Sequence, residues 1–207
     1  MKSFSQWTID EVEKEFELIQ DVDSEKLATW LSYAIETPES HHQKLQTLRT
    51  LNATEGYSWN EVELMMNFVG PLIDLIDYRS TSLKTFYTRT ISAPVGNETL
   101  SGVVDFVLAN GKRVPEKPIF FLHEYKKQYE SKHDPLGQLV ISMVAAQLIN
   151  QDENPLYGVY IIGRYWHFVV LDGKEYADHP GLNGATEIHR IYQALQYVKK
   201  RIGELAG

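Results

Sequence analysis

The chain has 207 residues, 43% hydrophobic and 23% charged, with a formal net charge of −8 and no cysteine. This is an ordinary globular composition, long enough to bury a full core. The missing cysteines exclude a disulfide scaffold, thiolate metal sites and a Cys nucleophile. The acidity argues against a surface coated in basic nucleic-acid-binding patches. No apolar run is long enough to span a bilayer as a helix. The acidic first twenty residues carry no apolar signal core, so a cytoplasmic protein is expected.

The charge is uneven. Residues 1–80 hold 6 Lys/Arg against 15 Asp/Glu, whereas the rest is close to balance and can approach a phosphate backbone. Three helices are predicted over the first 55 residues. The first opens at a Thr8/Glu11 capping box with Val12, Phe16 and Ile19 as its stripe. Ser24 caps the second, which carries Leu27, Trp30, Leu31 and Ile35, and Pro38 ends it. The third runs from about Glu39 to Asn52. Ser58 and Glu61 read as another capping box. The helix after it has Val62, Met65, Met66, Val69, Ile73 and Ile76 on one face, with a bend or break at Pro71.

From about Thr85 the apolar period changes to two. Strands are predicted over Thr85–Ala93, Leu100–Ala109 and Pro118–Lys126, the last dense enough in apolar residues to be central. Asp134-Pro135 starts a helix to about Asn150. Its run LVISMVAAQLI is apolar on every side, which means burial. Two strands follow around Gly163-Arg164, then a Gly- and Pro-containing loop over 173–184. The last amphipathic helix, Thr186–Leu205, carries Ile188, Ile191, Leu195, Val198, Ile202 and Leu205. This order predicts an α/β (α+β) fold, a small mixed sheet flanked by helices.

Two strands carry charge where the pattern asks for apolar residues. Asp105 shares its expected face with Val103 and Val107. Glu124 and Lys126 share theirs with Phe120 and Leu122, roughly 7 Å apart along the strand. Burying such charges is costly unless they meet each other or a metal. Two carboxylates can hold Mg²⁺, a hard cation that keeps waters. The metal polarises a phosphodiester oxygen and helps ionise a water. The Lys126 ammonium can orient or activate that water and offset charge in the transition state.

Gly102-Val-Val-Asp105 followed by Glu124-Tyr-Lys126 resembles the PD-(D/E)XK nuclease superfamily, the restriction-endonuclease-like fold. The closest pattern is that of the nuclease domains of type I restriction motor subunits. The resemblance spans roughly residues 58–171. It implies a restriction-endonuclease-like core in a domain over 58–207, with an acidic helical extension over 1–57. It also implies a metal shell of Asp105, Glu124 and the Tyr125 carbonyl, binding Mg²⁺ with Mn²⁺ as substitute. Glu61, ten residues before Pro71, matches the first-helix glutamate. Gln138, in GQLVISMVAAQ, matches the helix glutamine of the site. The Pro of the signature is absent, and Val104 stands there.

Each of these residues also has a structural use. Asp105 can accept backbone hydrogen bonds at a strand end, Glu124 and Lys126 can form a salt bridge, and Gln138 can be a polar residue at a helix start. Glu61 can be only the partner of Ser58. Glu63 flanks the same face but lacks the spacing to Pro71. His123 points away from Glu124 as a core histidine, and His41 and His42 diverge on their helix. Two function classes are expected. One is a Mg²⁺-dependent nuclease acting on nucleic acid, DNA foremost. The other is a catalytically idle module of the same fold, docking partners through its acidic helices. A monomer and a dimer built from helices outside 58–171 are both open.

Overall fold

A computed structural model describes residues 1–80, 83–126 and 134–206, apart from the side chains of Phe120, Leu122 and Ala206. Helix α1 (Ile9–Phe16) opens at the expected capping box, with Thr8 accepting from the Glu11 amide and Glu11 accepting from the Thr8 amide at 2.9 Å. It ends before Ile19, which is exposed in the two-residue strand β1 (Ile19–Gln20). Helix α2 (Glu25–Leu31) is capped by Ser24, and α3 (Glu39–Glu55) follows Pro38.

The next helical segment departs from the expected phase. Helix α4 (Glu61–Leu64) is capped by Asn60, whose Oδ1 accepts from the Glu63 amide at 2.9 Å. The Glu63 carboxylate accepts from the Asn60 amide at 2.8 Å. The capping box is therefore Asn60/Glu63, not Ser58/Glu61, and the Ser58 hydroxyl donates to the Glu55 carbonyl instead. A π-turn over Met65–Val69 leads into α5 (Gly70–Ile76), with the Gly70 amide bonded to the Met65 carbonyl. The wider turn accommodates Pro71, which has no amide to give and whose ring would crowd a regular helix. It also rotates the face. Leu64, Phe68, Leu72 and Ile76 are buried, and Val62 and Met66, expected in the stripe, stand 70% and 69% exposed.

Among the described residues the sheet has eight strands rather than the expected small set. These are β1, β2 (Leu83–Val95), β3 (Glu98–Asn110), β4 (Glu116–Lys126), β5 (Leu156–Ile162), β6 (Tyr165–Asp172), β7 (Glu175–Asp178) and β8 (Leu182–Asn183). The order is β1-β7-β6-β5-β4-β3-β2, with β8 also on β6. Pairs β1–β7 and β4–β5 are parallel and the rest antiparallel, so the sheet is mixed and open. The segment 173–184, expected as loop, supplies β7 and β8. Helix α6 (Pro135–Asn150) connects the parallel pair β4 and β5, and α7 (Ile188–Ala206) closes the chain.

Helices cover both faces. On one side, α6 packs with Phe4, Trp7, Val12 and Leu18 against Val104, Val107 and Tyr160. On the other, α7 and α5 pack with Trp30, Leu45 and Leu48 against Phe106, Phe121 and Phe168. Residues 1–57 thus contribute side chains to both cores and a strand to the sheet. Trp30 is fully buried, its indole donating to the Ala194 carbonyl at 2.7 Å. The α7 stripe from Ile188 to Ile202 is consumed inside the chain, and only Leu205 of that set is exposed. No helix among the described residues is long and apolar enough to cross a membrane.

Asp134 holds α1 against α6. Its carboxylate accepts from the Gly137 amide at 3.0 Å and from the Ile9 amide at 2.7 Å, capping both helices. A Cβ on Gly137 would lie 2.6 Å from the Ile9 nitrogen. Gly137→Ala is therefore expected to cost about 1–3 kcal/mol, as overpacked cores do, and a thermal melt should show a lower Tm.

Candidate active site

The long β2–β3 hairpin changes face at one point. The ladder pairs Tyr87 with Phe106 and Arg89 with Val104, and the intervening Thr88–Asp105 pair is missing. Thr88 lies at φ 50°, a left-handed conformation that costs a β-branched residue strain. Across this kink Leu100 and Val104 pack under α6 before it, and Val107 and Ala109 pack there after it. Strict alternation cannot give that. The expected shared face of Val103, Asp105 and Val107 is therefore broken: Val103 is exposed and Val107 fully buried.

Asp105 sits at the break. The last β3–β4 pair on this side is Phe106 with His123, and beyond it the strands part. The half-buried Asp105 fills the gap by accepting from the Tyr125 amide at 2.9 Å. A strand residue presents its N–H and C=O on the same edge, so the Tyr125 carbonyl lies on the edge that Asp105 occupies.

Glu124 and Lys126 occupy one face of β4, as their spacing predicts. Glu124 is 3% exposed, and its Oε1 accepts from Lys126 Nζ at 2.7 Å. The side chains of Phe120 and Leu122, expected on that face, lie outside the described residues. Glu61, at the start of α4, comes within 3.8 Å of Lys126 Nζ. The capping box explains why: Glu63 is committed to the Asn60 amide, so Glu61 faces the sheet. Asn60 three residues before Glu63 was readable as an N-cap signal and settles which glutamate points inward.

Three carboxylates therefore surround one ammonium. Burial, then the charge of Asp105, pushes the Glu124 carboxyl up to about 8 despite Lys126 beside it. Burial likewise raises Asp105, against the Tyr125 amide and Lys126. Burial alone would lower Lys126, but Glu124, Glu61 and Asp105 together hold it above the ordinary lysine value. Both directions express one fact: the cluster carries more negative charge than Lys126 balances. A divalent cation can relieve that excess. Among the described residues no group of three or more His, Asp or Glu side chains is placed to hold a metal ion. The smaller donor set that could do so is Asp105, Glu124 and the Tyr125 carbonyl, and it would need waters to complete the shell, as Mg²⁺ sites do.

Beside this cluster opens a slot of about 320 Å³ lined by Glu61, Asp105 and Tyr125 together with Val62, Met66 and Tyr87. The apolar part of this lining was not foreseen, because the π-turn and the kink that produce it leave no periodic trace. Gln138 does not line the slot. It is 7% exposed in the first turns of α6, and its buried Oε1 has no hydrogen-bond partner among the described residues. His123 is a core residue, 1% exposed among Phe106, Phe121 and Trp166, and burial lowers it to about 3. His41 bonds the Tyr192 hydroxyl while His42 meets His189, so the two diverge as expected.

No protein-family model matches the chain. No curated protein matches it either.

Proposed function

We propose that the protein is a metal-dependent nuclease that hydrolyses phosphodiester bonds, of DNA foremost, with a PD-(D/E)XK type of site. The observation that carries this reading is the meeting of Asp105, Glu124, Lys126 and Glu61 at the end of β4 beside an open slot. A salt bridge built for stability alone needs one carboxylate for one ammonium. This cluster buries Glu124 where ionisation is unfavourable, a pattern typical of functional sites.

Asp105, Glu124 and the Tyr125 carbonyl would hold Mg²⁺, or Mn²⁺ in its place, and the bound metal would polarise the phosphate and lower the pKa of a coordinated water. Asp105 is fixed for that role by the Tyr125 amide. Lys126 stays protonated in this environment. It therefore serves as a hydrogen-bond donor that orients the attacking water and offsets the charge developing on the phosphorane oxygens. Glu61 holds the Lys126 ammonium from the side of α4.

The test is incubation of plasmid, linear and branched DNA with the purified chain in Mg²⁺ or Mn²⁺, with and without chelator, beside Lys126→Ala. Cleavage that needs the metal and Lys126 is the expected result. Intact DNA in every reaction would leave a non-catalytic binding module instead.

A further inference from the structure

We propose that the slot beside Asp105 takes one unpaired nucleobase of the substrate strand, so that the enzyme acts on single-stranded or locally frayed nucleic acid. The inference rests on the nuclease reading for its substrate class and goes beyond it in naming the form of the substrate.

The slot's lining is of two kinds. Glu61 and Asp105 are acidic, and Val62, Met65, Met66 and Tyr87 are apolar. Without a metal a phosphate group is repelled by these carboxylates, and an alkyl chain offers them no donor beyond the Tyr125 amide and Lys126 that they already have. A nucleobase matches both kinds of lining. It is flat, uncharged and apolar on its faces, and its exocyclic amino groups donate to carboxylates. The volume of about 320 Å³ lies at the small end of ligand pockets.

Tyr87 is built as a platform. Its ring packs against Phe106, centroids 5.3 Å apart and planes at 67°, which fixes its orientation, yet the residue stays 38% exposed. The kink at Thr88 and the π-turn of Met65–Val69 bring Tyr87 and Met66 to the same slot. Val62, Met66 and Tyr87 together make an exposed apolar patch around one slot, the kind of patch that marks a ligand-binding groove. Glu61 lines the slot and lies within 3.8 Å of Lys126 Nζ, so a base seated there brings its own phosphodiester towards the ammonium. In a duplex the same base is stacked on both sides and paired, and reaching the slot requires extrusion.

Binding measured in chelator, where no hydrolysis can occur, tests this apart from catalysis. Fluorescence anisotropy would compare a short labelled DNA strand, the same sequence as a hairpin duplex, and the strand with abasic sites. An RNA strand measured alongside separates the two sources of the base. The single strand should bind at least about tenfold more tightly than the duplex or the abasic strand. Tyr87→Ala should lose about tenfold on the single strand, as expected for one stacked base, while Tyr87→Phe retains it. Each variant is checked by an unchanged thermal melt. Equal binding of duplex and single strand, no binding of either, or an unaffected Tyr87→Ala would each overturn the proposal. Cleavage that survives such a result would leave the nuclease reading standing. Single-strand binding without any cleavage would remove that reading alone.

Discussion

Lys126→Ala is expected to lower cleavage by about a hundred- to thousandfold, the loss that follows removal of one preorganised donor from a transition-state charge. The fold should survive the change. Removing one partner of a buried ion pair ordinarily leaves a stranded charge, but Glu124 already holds its proton up to about pH 8 and becomes neutral instead. Lys126→Arg should not restore activity. The planar guanidinium cannot take the position of an ammonium held 2.7 Å from Glu124 and 3.8 Å from Glu61. Activity within threefold of wild type in Lys126→Ala, measured as initial rates on plasmid DNA, would remove Lys126 from the mechanism.

Glu124→Gln is expected to stabilise the protein while ending its activity. The Glu124 carboxyl ionises near 4.5 in the unfolded chain and about 8 in the folded one. The folded state binds the proton more tightly. The resulting stability is complete below pH 4.5 and is lost as the pH rises through 8. Glutamine cannot ionise and is spared that loss, and Lys126 keeps Glu61 and the charge of Asp105 for balance. Above pH 8, without metal, Glu124→Gln should melt several degrees higher than wild type. The difference should disappear below pH 4.5. Added Mg²⁺ should raise the Tm of the wild type alone, because a cation replaces the proton that Glu124 holds. A variant that melts below wild type above pH 8 would mean that the Lys126 pairing outweighs the cost of burying Glu124. The expected result, a higher Tm with activity lost, is a stability–activity trade-off of the kind functional sites show.

Much of the architecture is written in local pattern. The run LVISMVAAQLI has no polar face, and the helix it forms is buried from Gly137 to Ala146. The apolar strand ending in Glu124-Tyr-Lys126 is central, between β3 and β5. The charged residues that broke strand periodicity are those the fold brings together. What the pattern hid arises from chain geometry that changes phase. The π-turn inserts a residue into the helical period, so a constant 3.6-residue reading assigns Val62 and Met66 to the core. The Thr88–Asp105 kink moves two strands to opposite parity together, which keeps their register and leaves no mark on either one alone. Strands β7 and β8, of 4 and 2 residues, are too short to show alternation and form only because β6 offers them an edge. That Gln138 is buried and does not line the slot depends on how α6 rolls on the sheet, which sequence does not encode locally.

The proposed hydrolysis depends most on Asp105 and Glu124 sharing one divalent cation. Titration with Mn²⁺, followed by the loss of free-ion signal in electron paramagnetic resonance, measures that directly in wild type and in Asp105→Asn. The asparagine keeps an oxygen for the Tyr125 amide and so preserves the fold at the kink. Weak saturable binding in the wild type, abolished in Asp105→Asn with an unchanged melt, is the expected result. Binding that Asp105→Asn leaves intact, or no binding by the wild type, would contradict the metal site and the hydrolytic function built on it.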